Sequence, residues 1–96
     1  MIPSPGLELW QNAPNPFASI TKFVCEAKES TEAEIAVYNI RGQKVRKIHS
    51  GILERGSTEF SWDGFDDNKR FVANEIYLIR AHNGKSSRLI KVLKLR

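Results

Sequence analysis

Apolar and polar residues alternate along much of this chain, in short segments each closed by Gly, Asn, Asp or Pro. Side chains of an extended strand point to opposite faces in turn, so the pattern predicts half-buried strands joined by turns. Ser57–Trp62 is the clearest case. Thr58, Phe60 and Trp62 share one face, and Ser57, Glu59 and Ser61 the other. A helix would scatter those aromatics around its circumference.

Glu34–Ile40 sets Ile35 and Val37 against Ala36, Tyr38 and Ile40. Both faces are largely apolar, which predicts a central strand. Arg41-Gly42 follows as a turn in which Gly42 takes positive φ, and Gln43–Ile48 returns as a more exposed strand. Ile20–Cys25 alternates less strictly, with Ile20 and Val24 opposite Phe23 and Cys25. Leu7–Trp10 reads as a first edge strand before Pro14 and Pro16, which cannot donate to a ladder.

Toward the end, Ile76 and Leu78 oppose Tyr77 and Ile79, and Ser87–Leu95 carries Leu89, Ile90, Val92, Leu93 and Leu95. Asn83-Gly84 between them predicts a two-residue hairpin turn. Glu26–Glu34, rich in charge, reads as a solvated loop. About seven short strands without a helix in a chain of this length predict an all-β antiparallel sandwich.

Composition narrows the functions open to such a fold. The 96 residues make one domain, 41% hydrophobic and 27% charged, within the ordinary globular range. The net charge of +4 is spread over scattered lysines and arginines, with no clustered stripe for nucleic acid. No segment is apolar for the ~20 residues a membrane span requires, and no signal peptide opens the chain. Met1 followed by Ile-Pro-Ser-Pro reads as a start placed in a proline-rich linker. Residues 1–9 are therefore taken as linker remnant plus first edge strand, and 10–96 as the domain proper.

The chemistry-bearing residues form no catalytic set. Cys25 stands alone, so it makes no intrachain disulfide or thiolate zinc site, and a buried place in a strand suits it. His49 and His82 fall in or near expected turns, and nothing marks either as a base for Cys25. No Gly-x-Ser-x-Gly elbow or glycine-rich phosphate loop is present. No cofactor is implied. Asp63, Asp66 and Asp67 are the nearest approach to a Ca²⁺ site, but their spacing does not fit an EF-hand. Asx side chains bonding their own backbone explain the run without an ion. Trp10 is the candidate for a carbohydrate-stacking aromatic, against the commoner fate of packing in the sandwich.

Several short motifs occur in a definite order. They are Asn12-Ala13-Pro14-Asn15-Pro16-Phe17, then Val37-Tyr38-Asn39-Ile40-Arg41-Gly42, then Trp62-Asp63-Gly64-Phe65-Asp66. Ile76-Tyr77 and a closing Lys91-Val92-Leu93 complete the set. The series resembles the type A C-terminal sorting domain of the type IX secretion system, and its relative, the Ig-like domain of flagellar hook-capping (FlgD-like) proteins. The likeness covers about residues 10 to 96 and implies an Ig-like sandwich. Pro14, Asn15, Pro16, Phe17, Tyr38, Gly42, Trp62, Asp63, Gly64 and Tyr77 would then be structural motif residues, Phe17 plugging one end of the sandwich. Where that family usually has Gly before the apolar-Tyr pair, this chain has Glu75. Asn74 is expected to take up the positive φ instead.

The resemblance implies a non-catalytic sorting and anchoring module on a larger exported protein. Its partners would be an upstream cargo domain and the outer-membrane secretion machinery, reached through the periplasm on the way to the medium or the cell surface. Neither nucleic acid nor direct membrane insertion is expected, and the isolated domain would be a monomer. The expected contact is the final strand, Arg88, Leu89, Ile90, Lys91, Val92, Leu93, Lys94 and Leu95, through strand addition at a sheet edge. That strand is equally readable as a merely structural one. The alternative function is a structural or adhesive Ig-like spacer, hook-capping-like or accessory to a secreted glycosidase.

Overall fold

A computed structural model describes residues 6–13 and 15–95. Seven strands form two antiparallel sheets: β1 Leu7–Ala13, β2 Thr21–Ala27, β3 Thr31–Tyr38, β4 Lys44–Leu53, β5 Gly56–Trp62, β6 Ile76–His82 and β7 Ser87–Leu93. One sheet runs β1-β2-β5 and the other β4-β3-β6-β7, leaving β1, β5, β4 and β7 at the edges. The expected all-β sandwich is what the chain forms. Pro14, residues 1–5 and Arg96 lie outside the described residues.

The core is the layer between the sheets. Leu7, Leu9, Phe23, Cys25, Ala27 and Trp62 face Ala33, Ile35, Val37, Tyr77, Ile79, Ala81 and Val92, all buried. These are alternate positions of their strands, so the pleat itself sorts them inward. β5 keeps its alternation, with Trp62 buried and Phe60 partly so. β3 is central between β4 and β6, as both its apolar faces predict.

Several expectations fail locally. Glu26–Glu34 is not a loop: β2 continues through Ala27, β3 begins at Thr31, and only residues 28–30 connect them. Ala27 and Ala33 point inward between charged neighbours that point out. An alanine adds little hydrophobic signal, so the alternation was hidden. Asn83-Gly84 is not a two-residue turn. The connection spans 83–86, only Gly84 there has positive φ, and the Asn83 carboxamide oxygen accepts from the N–H groups of Lys85 and Ser86. Asn74 does not take positive φ either. Lys69 is the only non-glycine with one among the described residues, and Glu75 uses its carbonyl to accept from the Lys94 N–H. His49 lies within β4, opposite Ile35 and against the Phe60 ring at 5.5 Å, rather than in a turn.

Candidate functional site

The edge of β7 is the candidate site, and its geometry follows from which backbone groups find partners. β7 pairs with β6 in unbroken register from Ser87↔His82 to Leu93↔Ile76. At Leu93 both backbone groups turn away from β6: the N–H donates to Asn15 Oδ1 at 2.9 Å, and the carbonyl accepts from the Phe17 N–H at 2.9 Å. Outward-facing residues recur every second position of an antiparallel strand. Lys91 and Leu89 therefore also present their N–H and C=O to the outer side.

Here the two halves of the strand part. The Lys91 carbonyl accepts from Asn15 Nδ2 at 3.4 Å, and the Leu95 N–H donates to the Phe17 carbonyl at 2.9 Å. Phe17 and Lys94 thus form a parallel bridge that prolongs the sheet past β7. No described strand pairs with the outer side of Leu89 or with the Lys91 N–H. The Leu89 side chain is 56% exposed on the outer face of the sheet, on the same face as Ile76, which is 40% exposed. Of the predicted contact residues, Leu89 and Lys91 are available for strand addition. Arg88, Ile90 and Val92 bond inward to β6 by the same alternation, Arg88 also reaching Glu8 at 3.6 Å. Leu93, Lys94 and Leu95 are occupied by the Asn15–Phe17 segment.

That segment is held from beneath by an aromatic stack. Phe17 is buried with its ring centroid 5.4 Å from Trp62, and Trp62 lies 5.2 Å from Tyr77, edge to face. The Trp62 Nε1–H donates to the Phe65 carbonyl at 2.9 Å, and the Tyr77 hydroxyl donates to the Ala73 carbonyl at 2.8 Å. Each buried aromatic has its polar handle satisfied. Desolvation, with Glu75 nearby, pushes the Tyr77 hydroxyl up to about 12. Tyr38 is half-buried at the end of β3, and Gly42 in the turn that follows has φ of 84°. Asn39, which closes the motif Val37-Tyr38-Asn39, caps that turn by accepting from the N–H groups of Arg41 and Gln43 at 3.0 Å each.

The acidic run after Trp62 is a hydrogen-bonded loop. Asp63 Oδ1 accepts from the Phe65 N–H, and Asp66 Oδ1 from the N–H groups of Asn68 and Arg70. Asp67 Oδ1 accepts from the Lys47 N–H at 3.2 Å. The Arg46 guanidinium sits among them, 3.1 Å from Asp63 and 3.9 Å from Asp67. Asp63 and Asp67 therefore already share a cation, and no group of three potential metal ligands occurs among the described residues.

The other candidates are dispersed. Cys25 is buried, and desolvation raises its thiol to about 11, far from a reactive thiolate at neutral pH. His82 contacts Glu34 Oε1 at 3.0 Å, and Lys44 donates to Glu34 Oε2 at 2.7 Å. These bonds, that of Lys44 foremost, hold the Glu34 carboxyl below its usual range. Trp10 faces away from the core, alternating with buried Leu9, and is 43% exposed beside Val24 and Glu59 on the outer sheet face. It does not pack across the sandwich, and no second aromatic of β2 or β5 joins it on that face to form a platform.

Sequence reasoning missed Asn15 as a cap on β7 and Lys94 as a buried residue. Lys94 shares the parity of Ile90 and Val92, which turn inward, so its position carried a signal that its charge obscured.

A family model of the FlgD Ig-like domain matches residues 17–87, well over half of the chain. The matched span covers β2 to β6, while β1 and β7 beyond Ser87 fall outside it. No curated protein matches the chain.

Proposed function

Because the chain belongs to the FlgD Ig-like domain family, a family of non-enzymatic Ig-like modules, we propose that it works by recognition, through the open half of the β7 edge. In this reading it is the sorting and anchoring module of a larger exported protein. The type IX outer-membrane secretion machinery reads it in the periplasm and passes its cargo to the surface or the medium. The observation that carries the proposal is that no described strand pairs with the backbone of Leu89 or the Lys91 N–H, beside an exposed Leu89. An extended partner segment pairing there gains main-chain hydrogen bonds for affinity and the Leu89–Ile76 face for specificity. The motif order Pro14–Phe17, Tyr38–Gly42 and Trp62–Gly64 supports the sorting assignment by resemblance.

A second reading rests on the family match itself, which favours a structural or adhesive Ig-like spacer equally well. The two readings separate in a bacterium that possesses the type IX machinery, with the chain fused behind a periplasmic reporter. Under the sorting reading the reporter reaches the cell surface, and Leu89→Lys leaves it in the periplasm. A wild-type fusion that stays in the periplasm leaves the spacer reading standing. Surface display undisturbed by Leu89→Lys removes the edge as the contact.

A further inference from the structure

Lys94 follows β7 and turns its side chain into the protein. The residue is only 4% exposed. Its stem lies where a side chain on Gly64 would go: a Cβ built there would sit 2.9 Å from Lys94 Cε. Gly64 also has φ of +79°, so this glycine serves both the turn and the lysine. The ammonium ends between two rings, 5.9 Å from the Phe17 centroid and 5.6 Å from that of Phe71. Among the described residues it has no carboxylate partner and no hydrogen-bond acceptor.

The ammonium nitrogen still reaches solvent, because no buried side-chain nitrogen or oxygen among the described residues lacks a hydrogen-bond partner. Ring faces attract it, but they do not replace the hydrogen bonds that its three protons make in water. One side of the site remains open as a recess of about 340 Å³ lined by Ala18, Ser19, Phe71, Val72, Asn74 and Lys94. Phe71 is 68% exposed, so an unusually large apolar surface walls this recess beside the ammonium.

We propose that the recess binds a carboxylate carried on an apolar body the size of one amino-acid residue. The ammonium supplies the charge-assisted hydrogen bond. Phe71, Val72 and Ala18 supply the apolar wall, and Ser19 and Asn74 the polar rim. A single point charge without an arginine fork suits a monoanion better than a phosphate dianion. The volume stands at the small end of ligand pockets, which begin near ~300 Å³. Such a carboxylate is either the free C-terminus of a polypeptide or an acidic side chain. The site is separate from the open edge at Leu89, and either can fail without the other.

The test is an amide-shift titration of the ¹⁵N-labelled chain with three small probes. N-acetyl-leucine carries a terminal carboxylate, N-acetyl-glutamic acid α-amide carries only the side-chain one, and N-acetyl-leucinamide carries neither. Saturable millimolar shifts at Phe71, Val72 and Asn74 are expected from at least one of the two acids, and none from the neutral amide. Whichever acid binds identifies the source of the carboxylate. Lys94→Met, which keeps the buried length, should weaken binding about tenfold or more. Phe71→Ala changes an exposed residue, should weaken binding without loss of fold, and decides the matter if Lys94→Met does not fold. Equal shifts from the neutral amide, undiminished binding by the variants, or no saturable shift from either acid would overturn the proposal.

Discussion

The two halves of β7 read alike in sequence and are treated in opposite ways by the fold. Among the described residues, the strand has a ladder partner on one side only from Ser87 to Lys91. From Lys91 to Leu95 it has partners on both, because the Asn15–Phe17 segment lies against it. The Asn15 carboxamide offers one donor and one acceptor, meeting the Lys91 carbonyl and the Leu93 N–H as a neighbouring strand would. The difference teaches that an edge is not a property of the strand's own residues. It is settled here by a side chain 78 positions earlier in the sequence. A protected edge resists unwanted pairing, and an open one invites it.

The largest effect is expected from removing what holds the capping segment down. Phe17 is buried on Trp62 and bridges Lys94. Phe17→Ala should cost about 3–5 kcal/mol, the usual range for a buried aromatic truncated to alanine. That is a large share of the ~5–15 kcal/mol that holds a small domain together. Urea unfolding measures it, and hydrogen exchange at Leu93 and Leu95 should quicken together. A loss below about 1 kcal/mol would mean that the sealed half is held by something other than this aromatic stack.

A smaller change removes the cap alone. Asn15→Ala deletes two hydrogen bonds at an exposed position, so water replaces them and the cost should be about 0.5–1.5 kcal/mol. The sharper readout is local: Leu93 should then exchange its amide proton nearly as fast as Leu89. Asn15→Asp keeps the acceptor for the Leu93 N–H and loses the donor to Lys91. Its Leu93 protection should lie between wild type and Asn15→Ala. Unchanged exchange at Leu93 in Asn15→Ala would erase the distinction between the two halves.

How much of this was legible depended on which residues carried the pattern. β5 and β6 announced themselves, because Phe60, Trp62, Tyr77 and Ile79 are large and alternate with polar or outward-facing residues. The sandwich followed from those strands and their spacing. The β2–β3 boundary was hidden, because Ala27 and Ala33 hold inward positions with almost no apolar weight among Glu26, Lys28, Glu32 and Glu34. The candidate site was legible only as a strand. Alternation gives the faces of β7, but not which of its backbone groups find a partner, since that depends on Asn15 and Phe17 arriving from the other end of the chain. The burial of Lys94 was missed for the opposite reason. Its parity pointed inward, and its charge argued for solvent until Gly64 and the two rings made room for its stem.

The smallest expected effect on stability is the most telling for the open half. Leu89 projects from the outer face and its backbone groups do not bond to β6, so Leu89→Lys removes little buried surface and no ladder bond. Surface substitutions of this kind stay within about 0.5 kcal/mol. A lysine on an edge strand also opposes pairing by another strand, which is a common way of guarding exposed edges. The variant should therefore unfold at the wild-type urea midpoint with unchanged protection at Leu93, while losing whatever pairing the wild-type edge supports. A drop in stability of more than about 1 kcal/mol would mean that Leu89 is already engaged within the fold, and the two halves of β7 would then differ in degree rather than in kind.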